Sequence, residues 1–257
     1  MDYSEKPDNR TIGIIPARYA STRFPGKPLI DINGRSMILR VYDQALLSGA
    51  LDDVVVATDD QRILDHVLSA GFQAVMTSSA HRSGTDRCLE ALDLYSRKKA
   101  TGYKYVVNIQ GDEPFIPPGN IRQVVELLVN PDVQIASLMK LIRNREDIFD
   151  PNVVKVIADC DNNALYFSRS PIPYLRGVDE TRWASKRSHY KHIGIYGFQA
   201  DVLQKVCHLP AGRLEQLESL EQLRWLEAGF QIRIGVTDLE NISIDTPEDL
   251  LKITNTD

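Results

Sequence analysis

The sequence predicts an α/β protein with a mainly parallel sheet and helices on both of its faces. Short apolar segments rich in β-branched residues alternate with helical patterns through the first half of the chain. That alternation is typical of parallel strands joined by right-handed helical crossovers. The strand segments are apolar at nearly every position, as expected for strands buried on both faces. A chain of 257 residues is long enough to bury such a core.

The first half of the chain contains four predicted strands and three predicted helices. The strands cover residues 11–15, 53–57, 72–76 and 105–110. The helices lie between them, over residues 37–48, 61–70 and 85–95. Ser36 and Asp60 are suitable N-caps for the first two helices, and Gly71 is a suitable residue to end the second. The order βαβαβαβ therefore predicts one parallel sheet.

From about residue 135 the pattern changes to one that includes a β-hairpin. Predicted strands over 153–158 and 164–168 are separated by the turn-forming run DCDNN at 159–163. Residues 171–190 have no clear period and are predicted as a loop. The remaining predicted elements are a strand over 192–199, a helix over 214–228, a strand over 231–237 and a final helix that Thr246, Pro247 and Asp249 begin. We expect a disordered tail over 1–10, then one domain over 11–257.

Composition and charge exclude several classes of function. The net charge is −5, without a basic tract, which argues against nucleic acid as a partner. No apolar run exceeds four residues, whereas a membrane span needs about 20, and the polar N-terminus lacks the apolar stretch of a secretory signal. Cys88, Cys160 and Cys207 match neither a disulfide framework nor a zinc site. We therefore expect a reduced, cytoplasmic protein that does not bind a membrane.

The densest candidate site directly follows the first strand. Within residues 16–28, three cations (Arg18, Arg23 and Lys27) occur in ten positions, where α/β sheets place their ligands. Several fixed positive donors suit a polyphosphate. The segment is not a P-loop, because Ser21 stands at the first glycine position and Pro28 follows the lysine. Without a G-x-G-x-x-G run, no dinucleotide cofactor is expected. A solvated basic loop is the alternative.

Two acidic residues are candidate ligands for Mg²⁺. Asp112 follows Gly111 at the end of the fourth strand, and Asp245 follows a late apolar segment. Mg²⁺ takes one or two carboxylates together with water and phosphate oxygens. The alternatives are an ordinary Gly-Asp turn for Asp112 and a helix cap for Asp245.

A third candidate site opens the third predicted helix, at SGTDR over 83–87. Helix N-termini present free amides to anions, and Arg87 adds a charge, although a plain capping motif is equally consistent. His189 and His192 are not expected to bind zinc, since the sequence offers no third ligand. No arrangement suggests a covalent nucleophile.

Leucines recur every third residue through the predicted helix over 214–228, at Leu214, Leu217, Leu220, Leu223 and Leu226. On a continuous helix this stripe wraps roughly 240° of the circumference. We expect the helix to be enclosed from more than one side, with Glu218 and Glu221 at an edge or facing a polar cavity.

Eight segments together resemble the 3-deoxy-manno-octulosonate (Kdo) cytidylyltransferase family. In order they are IPARYASTRFPGKPL (15–29), ATDD (57–60), SGTDR (83–87), NIQGDEP (108–114), ALYFSR (164–169), HIGIYG (192–197), LEQLR (220–224) and IDTPEDL (244–250). The resemblance covers residues 11–252. It implies a nucleotide-diphospho-sugar transferase-like fold, a homodimer contacting through the β-hairpin, and a role in lipopolysaccharide biosynthesis.

The reaction that the resemblance implies is CTP + Kdo → CMP-Kdo + pyrophosphate, with Mg²⁺ as cofactor. Motif by motif, it implies catalytic roles for Lys27, Asp112 and Asp245, the two acids holding the metal. It implies nucleotide binding by Pro16, Ala17, Arg18, Ser21, Arg23, Lys27, Ser83, Arg87 and Gln110. It implies sugar binding by Gln110, Arg169, His192, Tyr196, Glu221 and Gln222.

Departures from the family pattern are few, and three alternative functions remain. Ser243 stands where a glycine often occurs, and residues 175–191, a candidate cover for the sugar, carry no family motif. The alternatives are a cytidylyltransferase for another acidic sugar (sialic acid or 8-amino-Kdo), a glycosyltransferase that consumes a nucleotide-sugar, and a non-enzymatic nucleotide-binding module. Glycosyltransferases usually carry Asp-x-Asp at the strand end, where this chain has Asp112-Glu113-Pro114.

Overall fold

A computed structural model describes residues 9–20, 24–244, 246 and 249–250 of the chain. The chain divides into two compact units, one formed from residues 1–125 and 240–257 and the other from residues 126–239. This division does not decide whether the chain folds as one domain, so that expectation stays a prediction. Of the predicted tail, residues 1–8 lie outside the described residues.

The first unit contains a four-stranded parallel sheet. Its strands are β1 (Thr11–Ala17), β4 (Asp53–Thr58), β5 (Ala74–Met76) and β6 (Tyr105–Asn108). β1 pairs in parallel with both β4 and β6, and β4 pairs in parallel with β5, so the order is β6-β1-β4-β5. Two short strands, β2 (Asp31–Ile32) and β3 (Arg35–Ser36), form a separate antiparallel pair. The predicted parallel strands are confirmed.

The helices of the first unit follow the predicted order. They are α1 (Met37–Leu47), α2 (Gln61–Ser69) and α3 (Gly84–Lys99). A fourth helix, α4 (Pro118–Leu128), begins in this unit and was not predicted; its residues 126–128 belong to the second unit. Asp60 caps α2 by accepting a hydrogen bond from Arg62 N–H, and Ser83 caps α3 by accepting one from Asp86 N–H. Ser36 precedes α1 without a capping hydrogen bond, because its hydroxyl bonds to His66 Nε2 instead.

The second unit contains a mixed sheet. Its strands are β7 (Ile135–Leu141), β8 (Lys155–Ala158), β9 (Ala164–Ser168), β10 (Tyr190–Gln199) and β11 (Ile232–Val236). β10 runs antiparallel to β7 and β8, whereas β11 runs parallel to β7. The antiparallel pairing of β8 with β9 confirms the predicted hairpin.

The single helix predicted over 214–228 is wrong, because the chain breaks there into two short helices. The helices of this unit are α5 (Arg145–Phe149), α6 (Ala200–Cys207), α7 (Arg213–Glu218) and α8 (Gln222–Glu227). Ser219, between the last two, has a left-handed backbone with φ of 52°. Leu217 is 71% exposed while Leu223 is fully buried. The exposed Leu217 therefore contradicts the expectation that one enclosed helix carries all five leucines.

The predicted loop over 171–190 is irregular except for two 3₁₀ turns, Glu180–Arg182 and Ala184–Lys186, and its last residue, Tyr190, begins β10. It is nevertheless anchored by its own core, since Trp183 is 2% exposed and packs with Ile142 and Ile148. The Trp183 indole donates a hydrogen bond to Val178 O and stacks on His189.

None of the described helices combines the length and apolar character needed to cross a membrane.

Candidate active site

A cavity of about 240 Å³ lies where β1 and β6 end in the first unit. Seven of the nine predicted nucleotide-binding residues line it: Pro16, Ala17, Arg18, Lys27, Ser83, Arg87 and Gln110. The other two, Ser21 and Arg23, lie outside the described residues. The wall also contains Pro28, His81, Arg82, Gly84, Gly111 and Asp112. The structure thus brings together three segments that the sequence singled out separately.

Two glycines allow these segments to meet around the end of β1. A Cβ at Gly111 would lie 2.6 Å from Pro16 O, and one at Gly84 would lie 3.3 Å from Pro16 Cγ. The first distance is shorter than a real Cβ contact, so this approach requires glycine. The N-terminus of α3 is thereby part of the cavity wall, where its free amides and the positive end of the helix dipole favour an anion.

Four cationic side chains line the cavity. Arg18 and Arg82 are exposed, while Lys27 is mostly buried. Lys27 Nζ lies 2.9 Å from Asp112 Oδ2, so two of the three predicted catalytic groups form an ion pair. Gly26, with φ of 71°, turns the chain immediately before Lys27 and donates a hydrogen bond from its N–H to Tyr19 O.

Arg87 lines the cavity but its guanidinium is held by the protein. The side chain is 4% exposed, and its Nη2 donates to Asp59 Oδ2 at 2.9 Å while its Nη1 donates to Thr77 Oγ1 at 2.6 Å. Asp59 and Thr77 were not predicted as site residues. The ATDD motif at 57–60 could have pointed to Asp59, because β4 ends within this motif, at Thr58. Parallel strands end at the same edge of the sheet, so Asp59 is expected near the residues that follow β1.

His81 also lines the cavity, although it was not predicted as a site residue. Its Nε2 lies 2.5 Å from Glu90 Oε2, which also accepts a hydrogen bond from Ser78 N–H. Burial alone would raise the pKa of Glu90, but the hydrogen bonds from His81 and Ser78 lower it. A charged Glu90 therefore fixes the loop that leads into α3.

The donor set at the cavity fits a magnesium ion. Asp112 lines the cavity at the end of β6, with its side chain about one third exposed. Within the described ranges, no group of three or more His, Cys, Asp or Glu side chains could hold a metal. Mg²⁺ does not need such a group, since one or two carboxylates with substrate phosphates suffice. The second predicted ligand, Asp245, lies outside the described residues.

Arg169, a predicted sugar-binding residue in the second unit, is held by backbone carbonyls. Its Nε donates to Glu218 O at 2.7 Å, its Nη1 to Pro151 O at 2.9 Å and its Nη2 to Ser219 O at 3.4 Å. The Glu218 carboxylate instead accepts hydrogen bonds from Ser168 Oγ and Arg169 N–H. The guanidinium is thus oriented by neutral acceptors, which leaves its charge available to an anion.

His192 and Tyr196 lie together on β10 in their neutral forms. Their rings are 5.2 Å apart, and Tyr196 also contacts the edge of Trp225. Although His192 keeps a small exposed fraction, burial lowers its pKa to about 3. Burial and the nearby Glu221 raise the pKa of Tyr196.

The hydrogen bonds around Ser137 assign the tautomer of His192. Ser137 Oγ lies 2.8 Å from Ile195 O, to which it donates, and 2.9 Å from His192 Nε2. A hydroxyl has one proton, so His192 Nε2–H donates to Ser137 and Nδ1 carries the lone pair. His192 can therefore accept a hydrogen bond but cannot pair with a carboxylate.

The last two predicted sugar-binding residues begin α8. Glu221 accepts a hydrogen bond from Arg224 Nη2 at 2.7 Å. Gln222 is buried. The break at Ser219 separates these residues from α7. The leucine spacing did not predict this break.

Comparisons with known proteins agree with the resemblance. The family described as "Cytidylyltransferase" matches residues 12–237. The chain is 54% identical to the 3-deoxy-manno-octulosonate cytidylyltransferase of Parabacteroides distasonis, over 94% of this chain and 95% of the relative. It is 49% identical to the protein of the same name from Cytophaga hutchinsonii, over 95% and 96%.

A solved structure shares the fold. It is a CMP:2-keto-3-deoxy-manno-octonic acid synthetase complexed with CTP, 40% identical to this chain, with a TM-score of 0.86. The match covers 95% of this chain and 97% of the other. The α/β fold predicted from the sequence is therefore confirmed, whereas a role of the hairpin in dimerisation stays a prediction.

Proposed function

The chain belongs to the 3-deoxy-manno-octulosonate cytidylyltransferase family, and on that premise we propose that it transfers CMP from CTP to the anomeric hydroxyl of Kdo, releasing pyrophosphate. It is a nucleotidyltransferase. The observation that carries the assignment is the cavity that Arg18, Lys27, Asp112 and the N-terminus of α3 line together. A related chain with the same fold was solved as a complex with CTP.

The cavity residues would hold the triphosphate and orient it for attack. Cations there offset its charge of roughly −4 with planar guanidinium groups and one ammonium point charge. Positioning and charge neutralisation dominate phosphoryl transfer, because the protein has little covalent chemistry to perform. Lys27 is well suited to this task, since its pairing with Asp112 holds an otherwise flexible side chain at the cavity. Ser21 and Arg23 are proposed to assist it.

Asp112 and Asp245 are the residues that would hold Mg²⁺. When bound, the ion would neutralise phosphate charge and lower the pKa of the sugar hydroxyl, so no dedicated general base is required. The supporting observation is the carboxylate of Asp112, which lines the cavity just beyond the end of β6.

Charge states in the second unit support specific roles in sugar binding. Arg169 is oriented by carbonyls and keeps its charge, so it is proposed to bind the Kdo carboxylate. His192 is neutral with a free lone pair on Nδ1, so it is proposed to accept a hydrogen bond from a sugar hydroxyl. Tyr196, Glu221, Gln222 and Gln110 are proposed as further polar contacts.

We also propose a cytoplasmic homodimer that serves lipopolysaccharide biosynthesis. The hairpin of β8 and β9 is the proposed contact between copies, and its exposed Leu165 supports this assignment. Residues 175–191 are proposed to cover the sugar. Light scattering after size-exclusion chromatography tests the dimer. Since one chain has a mass of 29.0 kDa, the eluting species should have twice that mass.

The test of the function is pyrophosphate release with each of the four nucleoside triphosphates, with and without Kdo, in Mg²⁺ and in EDTA. Release that requires CTP, Kdo and metal together is expected. Release with CTP and sialic acid or 8-amino-Kdo, but not with Kdo, would support the same reaction with a different acidic sugar as substrate. A folded protein that binds CTP without turnover would favour a binding module, and consumption of CMP-Kdo without pyrophosphate would favour a glycosyltransferase.

A further inference from the structure

Three hydrogen-bonded polar side chains, two of them buried and Asn241 half-buried, join the segment after β6 to the segment that follows β11. Asn120 Nδ2 donates a hydrogen bond to Asn241 Oδ1 at 2.7 Å, and Asn241 Nδ2 donates one to Glu113 Oε2 at 2.5 Å. Glu113 is 7% exposed and Asn120 is fully buried. We call these three residues the Asn241 bridge.

The Asn241 bridge lies beside Asp112 in both the sequence and the structure. Glu113 is the next residue in the chain, and Ile244 N–H donates a hydrogen bond to Asp112 O at 3.0 Å. Ile244 is itself fully buried against Ile32 and Met37. The segment over 241–244 is therefore attached to the strand end by side-chain, backbone and apolar contacts.

Buried amides and carboxylates are retained in proteins when their hydrogen bonds are made, because an unsatisfied one is costly. The bridge links residues 113, 120 and 241, so it forms only when the late segment is in place. Lys27 pairs with the Asp112 carboxylate, Ile244 N–H donates to the Asp112 carbonyl, and the bridge holds the next residue, Glu113. Together they restrict the direction in which Asp112 faces the cavity.

We propose that Asn241 is a positioning residue for Asp112, which holds the strand end so that the carboxylate can bind a divalent cation. Asn241 itself contacts neither the cavity nor a substrate in this assignment. The proposal rests on the proposed function, because it takes Asp112 as the ligand of that cation. It also accounts for a polar residue that the sequence motifs did not single out.

The test is Mn²⁺ binding by electron paramagnetic resonance, in the presence of a CTP analogue with a methylene group between the α- and β-phosphates. Asn241→Asp keeps the side-chain volume and an acceptor for Asn120 but cannot donate to Glu113 at pH 8. Asn241→Ala removes both hydrogen bonds. We expect about tenfold weaker Mn²⁺ binding for each variant, together with a similar rise in the Mg²⁺ concentration that gives half-maximal turnover. Asp112→Asn supplies the value for a lost ligand.

Ile242→Ala is the matched control, since Ile242 lies in the same segment with its side chain 44% exposed, and it should bind Mn²⁺ like the wild type. Mn²⁺ affinity within twofold of wild type in a folded Asn241→Asp would overturn the proposal, even if the thermal midpoint fell, because the bridge would then be purely structural. Failure of the proposed function would appear differently, as a wild-type protein that binds Mn²⁺ and the analogue without turning over CTP and Kdo.

Discussion

The charge of His192 illustrates what packing does to a single residue. Its imidazole donates to Ser137, and its ring contacts Phe167 and Tyr196. Burial without an acidic partner lowers its pKa to about 3, against an ordinary value of 6.5. The residue therefore stays neutral at any pH at which the enzyme would work, which limits it to hydrogen bonding.

The depressed pKa of His192 predicts a specific dependence of stability on pH. Between pH 3 and 6.5 the unfolded chain binds a proton at this position that the native state does not, so the free energy of unfolding falls as the pH is lowered. From pH 7 to pH 5, the wild type should lose about 1 to 2 kcal/mol more than His192→Gln. Urea denaturation at both pH values measures the difference.

The control for this experiment is His208→Gln, since His208 lies on the surface at the end of α6. Its loss of stability on acidification should equal that of the wild type. Parallel behaviour of His192→Gln and the wild type would show that His192 is protonated in the native state.

Asp112 carries the second prediction at this scale. Asp112→Asn keeps the size of the side chain but removes the charge that faces the phosphate cavity, so kcat should fall by roughly 10². Steady-state kinetics in saturating Mg²⁺ measure it, with circular dichroism to verify folding. Asp43→Asn is a suitable control, because it breaks the ion pair between Asp43 on α1 and Arg35 on β3, neither of which lines the cavity. Turnover near the wild-type value would remove Asp112 from the metal site.

At the scale of elements, α2 braces the loop that carries two cavity cations. The Arg62 guanidinium lies 3.3 Å from the centre of the Tyr19 ring, and Gly26 packs against the same ring. Asp60 holds Arg62 with two hydrogen bonds, of 2.9 and 2.7 Å, and the pKa of Asp60 is lowered by them. Tyr19 and Gly26 adjoin Arg18 and Lys27 in the chain, so we expect this contact to help position both cations.

Removing this brace should weaken CTP binding without stopping turnover. Exposed cation–π contacts contribute about 0.5 to 1 kcal/mol, so Arg62→Ala should raise KM for CTP by roughly three- to fivefold and leave kcat within twofold. Arg145→Ala removes a comparable contact, with Phe149 in the second unit, and should not affect KM. An unchanged KM in Arg62→Ala would mean that the contact with α2 does not help to position Arg18 and Lys27.

The junction between α7 and α8 provides a prediction about stability. Ser219 adopts a left-handed backbone there, which costs an L-residue about 1 to 2 kcal/mol relative to glycine. Ser219→Gly should therefore raise the free energy of unfolding by about 1 kcal/mol. The greater conformational entropy of glycine in the unfolded chain opposes this gain and reduces it. Ser219→Ala keeps the Cβ and should give no gain. Equal effects of the two substitutions in urea denaturation would argue against backbone strain.

At the scale of the whole molecule, the overall charge and the cavity charge have opposite signs. The chain carries a net charge of −5, while Arg18, Lys27, Arg82 and Arg87 line one cavity. An acidic protein would not attract a triphosphate through its general field. The attraction is local, and part of it comes from the exposed Arg18 and Arg82.

Exposed charges are screened by salt, which makes this arrangement testable. The screening length falls from about 10 Å at 0.1 M salt to about 3 Å at 1 M. KM for CTP should therefore rise several-fold between 50 and 500 mM KCl, and by less in Arg82→Gln. KM for Kdo, which carries a single carboxylate, should change less. A KM for CTP that is independent of salt would contradict a role for the exposed arginines.

Much of the fold and the site could be predicted because the signals are local. Apolar β-branched runs predicted β1, β4 and β6, and Asp60 and Ser83 cap the helices that they precede. Parallel strands end at one edge of a sheet, so residues after β1 and β6 meet there. The helix over 118–128 was missed, although its first residue is a proline, which is common at that position.

The sequence alone therefore determined the class of fold, the alternation of strands and helices along the first half of the chain, and the family. These follow from periodicity, capping and motifs, which involve residues close together in the chain. The tertiary structure alone decided that Arg87 is held by Asp59, that His192 is neutral, that the leucine-rich helix breaks at Ser219, and that Asn241 joins Glu113 to Asn120. Each depends on burial and on partners brought together from distant positions, or on a backbone conformation that side-chain spacing does not specify.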